Sequence, residues 1–303
     1  MQNRVLITGG SGLVGRHLST LLSYNGFIVS HLGRRKNPAA DKYIQYVWNP
    51  EKEEIDPNAI INNDYIIHLA GAGVEAHRWT ETYKNEIYNS RIASTRLLVE
   101  SIVKYNPAGI KKLVSTSAIG IYGNDTGENT PEDAPVGTTF LAKVCDDWEK
   151  EAIALRQHGI AVSIIRTGVV LAKDGGFIPK IAAPIKLFAG TALGTGNQYL
   201  SWVHIDDLCR MYLYLIQNET INGIYNGVSL EPVTHNKITR QMAKRLNRPL
   251  IIPNAPVFAL KFIFGEMHTM LVASQHVSGK KWLNERFKFK YPDISSALAN
   301  LLP

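Results

Sequence analysis

The stretch Val5-Leu6-Ile7-Thr8-Gly9-Gly10-Ser11-Gly12-Leu13-Val14-Gly15 limits what this chain can fold into more than any other. Val5 to Ile7 is a continuous apolar run, the pattern of a central parallel strand covered on both faces. Leu13, Val14, Leu18, Leu21 and Leu22 follow at helical spacing, and Asn25-Gly26 stops them. Between strand and helix, Gly9 permits the tight turn and Gly12 lets backbone amides approach a pyrophosphate. Gly15 lets the helix lie close to the strand. The helix N-terminus then turns its free amides and positive dipole end toward the anion. A glycine loop alone is a weak signal. Set between a first strand and a first helix, it points to a bound dinucleotide, with Gly9, Gly12, Leu13 and Val14 at the cofactor.

The second strand is expected at Phe27–Leu32, followed by Gly33-Arg34-Arg35-Lys36. In such a fold a carboxylate at this place binds the ribose hydroxyl of NAD, whereas arginine accommodates the 2′-phosphate of NADP. Arg34 and Arg35 stand there without an acid, so NADP is the expected cofactor. Further strands are expected at Tyr46–Trp48, Tyr65–Leu69, Leu113–Ala118, Ala161–Arg166 and Ile224–Asn226. The small residues after Leu69, Ala70 and Gly71 among them, would let a cofactor lie against the backbone, and Thr167-Gly168 close a later strand in the same way. A long helix is expected over Glu81–Lys104. An arginine inside a helix is ordinarily solvated, and Arg91 joins the cofactor set only if its turn faces the pocket.

Helices are also expected over Phe140–Gln157, after Asp206 as N-cap through Leu215, after Thr234 through Leu246, over Val257–Ala273 and from Asp293. Phe287-Lys288-Phe289 reads as a short edge strand. The alternation of strands and helices to about Leu171 makes an α/β, doubly wound parallel sheet. Residues 1–228 form the dinucleotide-binding unit, with 172–200 contributing to the substrate side. Residues 229–303 form a smaller, mostly helical substrate lid over the carboxyl ends of the strands.

The 303 residues carry 33 basic and 26 acidic side chains, a net charge of +7. The basic residues are scattered and no aromatic-interleaved basic platform occurs, so the charge favours anionic small molecules over nucleic acid. No segment is long and apolar enough to span a bilayer, and no signal peptide precedes the first strand; a membrane partner is not expected. Cys145 and Cys209 lack metal-ligand spacing and fit free thiols in a reducing cytoplasm, in a monomer or homodimer that holds no metal.

Thr8 to Gly15, His68-Leu69-Ala70-Gly71 and Tyr122-Gly123 together resemble the extended short-chain dehydrogenase/reductases, Rossmann proteins that include the nucleotide-sugar epimerases. Arg78-Trp79-Thr80, Ser90-Arg91-Ile92, Phe140-Leu141-Ala142, Trp148-Glu149 and Gly194-Thr195-Gly196 sharpen the match. So do Gln198, Trp202-Val203-His204-Ile205-Asp206-Asp207, Gly265-Glu266-Met267 and the Phe287–Pro292 tail. These are marks of an atypical branch of nucleoside-diphosphate-sugar-epimerase-like and cell-division-inhibitor-like proteins, and the likeness covers nearly the whole chain. The resemblance implies NADP binding and a C-terminal substrate-domain remnant.

It also implies a serine after the fifth strand, a role Ser117 fits, and a Tyr-x-x-x-Lys pair one helix later. That pair is missing. Phe140 has no hydroxyl and Lys143 is offset by three positions, while aligning Trp148-Glu149 puts Leu141 and Cys145 at the expected places. Tyr122, whose loop adjoins Ser117, is the replacement proton donor considered first and His204 the second. Trp79, Trp202 and His204 are assigned to the side of a small-molecule substrate. Two readings follow: an NADP(H)-dependent oxidoreductase or epimerase with a replaced donor, or an NADP(H)-binding regulator without turnover.

Overall fold

A computed structural model describes residues 2–302. Its first half runs β1 (Arg4–Thr8), α1 (Leu13–Tyr24), β2 (Ile28–Gly33), β3 (Ile44–Asn49), β4 (Glu54–Ile55), α2 (Asn58–Ile61) and β5 (Tyr65–His68). Then come α3 (Glu81–Tyr105), β6 (Lys112–Ala118), α4 (Phe140–Ile153), β7 (Ala161–Thr167), β8 (Val169–Ala172), β9 (Gly175–Gly176) and α5 (Phe177–Lys186). The rest is β10 (Tyr199–Leu200), β11 (Trp202–His204), α6 (Ile205–Gln217), β12 (Gly223–Gly227), β13 (Val233–Thr234) and α7 (His235–Arg245). It ends with α8 (Val257–Phe264), α9 (His268–Leu271), α10 (Lys281–Asn284) and α11 (Ile294–Leu301).

Val5, Leu6 and Ile7 are wholly buried, as a strand covered on both faces requires. Their period-two alternation sorts them between two helix layers. Val5 and Ile7 meet Leu18 and Leu22 of α1 and Leu208 and Tyr212 of α6, while Leu6 and Ile66 meet Leu97 and Leu98 of α3 and Ala152 of α4. Burying one such leucine contributes roughly 1.5–3 kcal/mol, so both layers stabilise the sheet between them. The eight strands lie in the order β12-β7-β6-β5-β1-β2-β3-β4. All pair in parallel except β3 with β4. Strand order reverses between β1 and β5, which opens a crevice at their carboxyl ends where ligands bind in this architecture.

Two small sheets, β11-β8-β9 and β10-β13, carry the chain above that edge. There Leu171, Ile178, Trp202, Ile238, Met242 and Leu298 form a separate core. Trp282 and Phe287 return from the C-terminal region into the main core beside α6.

Several expectations are corrected. Phe287–Phe289 forms no strand, because Phe287 and Phe289 point into the main core instead of pairing along an edge. The helix expected over Val257–Ala273 breaks at Gly265, whose φ of +61° ends α8, before a short turn and α9. The N-cap of α6 is His204, whose Nδ1 accepts the Asp206 amide at 3.1 Å, so Asp206 lies inside the first turn. Helix α4 ends at Ile153 and continues to His158 only as a 3₁₀ turn. Among the described residues no helix is long and apolar enough to cross a membrane.

Candidate functional site

The crevice is built on Thr8. Its register partner across β1 and β5 is His68, and its buried Oγ1 accepts the amides of Leu69 at 3.0 Å and Ala70 at 3.1 Å. With its lone pairs so used, Thr8 donates its proton to His68 Nδ1 at 2.7 Å. His68 Nε2 then donates to Thr95 Oγ1 at 2.9 Å, and Thr95 donates to the Arg91 carbonyl at 2.6 Å. The chain of donors fixes the imidazole tautomer and ties both cofactor-facing loops to α3. Burial holds His68 neutral, down to about 3, with Arg91 adding to the shift.

Gly9 takes φ +69°, and a Cβ there would stand 3.1 Å from the Leu69 carbonyl carbon, so the two loops touch backbone to backbone. At Gly15 a Cβ would fall 2.4 Å from the Gly9 oxygen and 2.7 Å from Gly10 Cα. This glycine therefore makes room for the loop itself. Gly12 is the N-cap of α1 with no side chain to cap it, leaving the helix-end amides to a ligand. Leu13 packs against Gly175 and Gly176, and Val14 faces the α6 layer. Arg34 and Arg35 follow β2 on exposed chain, and neither forms an ion pair among the described residues.

Arg91 turns inward, against the loop after β5. Its guanidinium donates to the carbonyls of Ala72 and Ile87, both at 2.9 Å, and its Cζ lies where a Gly71 side chain would be, 3.1 Å from that Cβ. It rests 5.2 Å over the Trp148 ring and so holds the Leu69–Gly71 loop from beneath. Thr167 ends β7 with its Oγ1 3.2 Å from that of Thr116. Gly168 passes under Ser201, where a Cβ would meet the carbonyl at 2.4 Å.

Ser117, next to last in β6, is buried, and its hydroxyl lies against the Cys145 thiol without a hydrogen bond of ordinary geometry. Beside it stands Cys145, whose thiol burial pushes up to about 11. Lys143 points to solvent and pairs with Asp147 at 2.7 Å. Phe140 meets the Trp79 ring at 5.6 Å, and the Trp79 indole donates to the Val74 carbonyl at 2.7 Å. Trp79 thus stands on the rim, above an apolar wall.

The other site assignments are corrected. The Tyr122 hydroxyl is spent inside the protein: it donates to Asn226 Oδ1 at 2.7 Å and accepts from Arg166 Nη1 at 2.8 Å. Burial raises the phenol to about 12. Trp202 and His204 are each 1% exposed, and both are engaged inside the protein. The Trp202 indole donates to the Glu231 carbonyl at 2.9 Å, and His204 caps α6 while stacking on Tyr291 at 3.8 Å. Sequence reasoning missed the pair that organises Tyr122, Arg166 bidentate to Glu149 at 2.8 Å for both bonds. An arginine closing an otherwise apolar buried strand was the available signal, since such a charge needs a buried partner.

Residues 5–226 match the model of the NAD dependent epimerase/dehydratase family, and residues 255–301 match a domain of unknown function, DUF1731. The chain is 33% identical to the epimerase family protein YfhF of Bacillus subtilis, over 98% of this chain and 97% of that protein. It is 32% identical to the epimerase family protein ML0860 of Mycobacterium leprae, over 97% and 94%. The crystal structure of human epimerase family protein SDR39U1 with NADPH superposes with a TM-score of 0.89 at 26% identity, over 99% of each chain. UDP-glucose 4-epimerase of Thermotoga maritima shares the fold, with a TM-score of 0.80 at 18% identity over 99% and 97%.

Proposed function

Because this chain belongs to the NAD dependent epimerase/dehydratase family, we propose that it is an NADP(H)-dependent oxidoreductase or epimerase-like protein acting on a small carbonyl or nucleotide-sugar substrate. The observation that carries the reading is the pairing of a glycine cradle at the α1 N-terminus with the unpaired Arg34 and Arg35 after β2. The human relative solved with NADPH supports the same choice of cofactor. When bound, the nicotinamide supplies the capacity to give or take a hydride. The chain's own part is binding and orientation. The Gly12 end of α1 holds the pyrophosphate, Arg34 and Arg35 the 2′-phosphate, and the loop over Arg91 the cofactor face. Ser117 is the hydroxyl free to orient a substrate oxygen.

A second reading, a non-catalytic NADP(H)-binding regulator, is favoured by one feature: the Tyr122 hydroxyl, the first replacement donor, gives its proton to Asn226, and neither register of the α4 sequence, Phe140 with Lys143 or Leu141 with Cys145, offers a Tyr-Lys pair. Two measurements decide. Calorimetric titration should show NADPH binding tighter than NADH, and equal affinities would sink the cofactor assignment. NADPH absorbance followed across aldehydes, ketones and nucleotide sugars should then reveal a substrate whose turnover Ser117→Ala cuts about a hundredfold without weakening NADPH binding. A chain that binds NADPH and oxidises it against none of them is the regulator.

A further inference from the structure

Two segments of the chain carry an excess of positive charge. Residues 175–205 and 232–265 carry eight of the lysines and arginines and no acidic residue, which leaves 25 basic and 26 acidic side chains for everything else. Lys180 pairs with Glu75, and the other seven are exposed without an ion pair among the described residues. Lys237, Arg240, Lys244 and Arg248 recur at helical spacing along and just past α7, opposite the buried Ile238 and Met242. The stripe runs into apolar surface. The Arg248 guanidinium sits 5.0 Å from the Phe188 ring and its Nε donates to the Lys186 carbonyl. Around it Leu187 is 78% and Ile251 69% exposed. The chain from there is stitched to residues 191–195 by the Thr191 and Asn254 side chains and leads into α8, where Phe258 is 76% and Phe262 85% exposed.

We propose that this face of the lid docks on an anionic lipid bilayer. Large apolar side chains standing in water mark a surface with a partner. Cations that form no ion pair among the described residues match the negative headgroups of such a membrane, while the apolar side chains enter the acyl boundary. A second copy of the chain fits poorly, because pairing this face with itself would press seven unpaired cations against seven more. The earlier expectation of no membrane partner rested on the lack of a spanning segment, which does not bear on a protein lying on the surface.

The test is co-sedimentation of the full chain with phosphatidylcholine vesicles, with or without about 30% phosphatidylglycerol, the anionic lipid that supplies the negative surface potential. The chain should pellet with the anionic vesicles, increasingly so as salt is lowered. Lys244→Glu with Arg248→Glu, and separately Leu187→Ser with Ile251→Ser, should each weaken that binding at least about tenfold, with NADPH affinity unchanged as the check on folding. If the serine pair fails that check, Phe258→Ser with Phe262→Ser replaces it. The proposal is overturned by no binding to anionic vesicles, by binding that survives either kind of substitution, or by tighter binding to DNA than to vesicles. A dimer split by the serine substitutions in a chain that ignores vesicles overturns it as well.

Discussion

Acid should destabilise this protein well before its carboxylates are titrated, because burial opposes the protonation of four histidines, His204 and, more strongly, His31, His68 and His235. Burial takes His68 down to about 3 and His31 and His235 each to about 4. Protonating His68 is opposed by geometry as well. Its Nδ1 accepts the Thr8 hydroxyl proton, and a second proton there would face an oxygen already holding two amides. In the unfolded chain each imidazole titrates near 6.5. The unfolded state therefore binds more protons below that pH, and stability falls with pH until about 4. Between pH 7 and pH 5 each of His31, His68 and His235 withdraws about 1.8 kcal/mol, about 5 kcal/mol for the three. That is comparable to the whole stability of many domains, roughly 5–15 kcal/mol. Urea unfolding followed by tryptophan fluorescence at half-unit pH steps gives the slope directly. It should correspond to at least about three protons taken up on unfolding between pH 6 and 5, with His204 adding to the three, and to about one fewer in His235→Gln. A slope below about one and a half protons would refute the reasoning.

Other perturbations have outcomes as definite. Arg34→Ala with Arg35→Ala should erase a preference for NADPH worth about ten- to a hundredfold while leaving NADH binding nearly intact, read by calorimetry. Gly15→Ala should weaken NADPH binding, because the new Cβ strikes backbone at 2.4 Å and the glycine loop must move; an unchanged titration would show the loop has slack. Arg166→Met should lower stability by about 3–5 kcal/mol, since it leaves Glu149 buried without its partner. Tyr122→Phe should cost about 1–3 kcal/mol in the same denaturation assay, by leaving Asn226 and Arg166 short of a bond, and should not change NADPH affinity.

Much of this molecule was readable from short stretches of sequence. The β1-glycine-α1 unit, the parallel strands and the long helix from Glu81 rest on patterns that close within a few residues: an apolar run, a glycine at a positive φ, a Thr80 cap accepting the Tyr83 amide. Each is dictated by local sterics and by which faces must be covered, so sequence alone determines them. What each polar group in the interior is bonded to was not readable. Tyr122 sits beside Ser117 in sequence, yet its proton goes to Asn226, a hundred-odd residues away on β12. His204 reads equally well as a donor to a substrate and as a cap on α6, and only its burial under Tyr291 decides for the cap. Phe287 and Phe289 have the alternation of a strand, but the main core draws them in. In each case the free energy at stake is desolvation, and a buried polar or aromatic group takes whichever partner the assembled fold brings within reach. Local sequence determined the frame of this protein; the packing of distant segments decided which of its functional groups remain free to act.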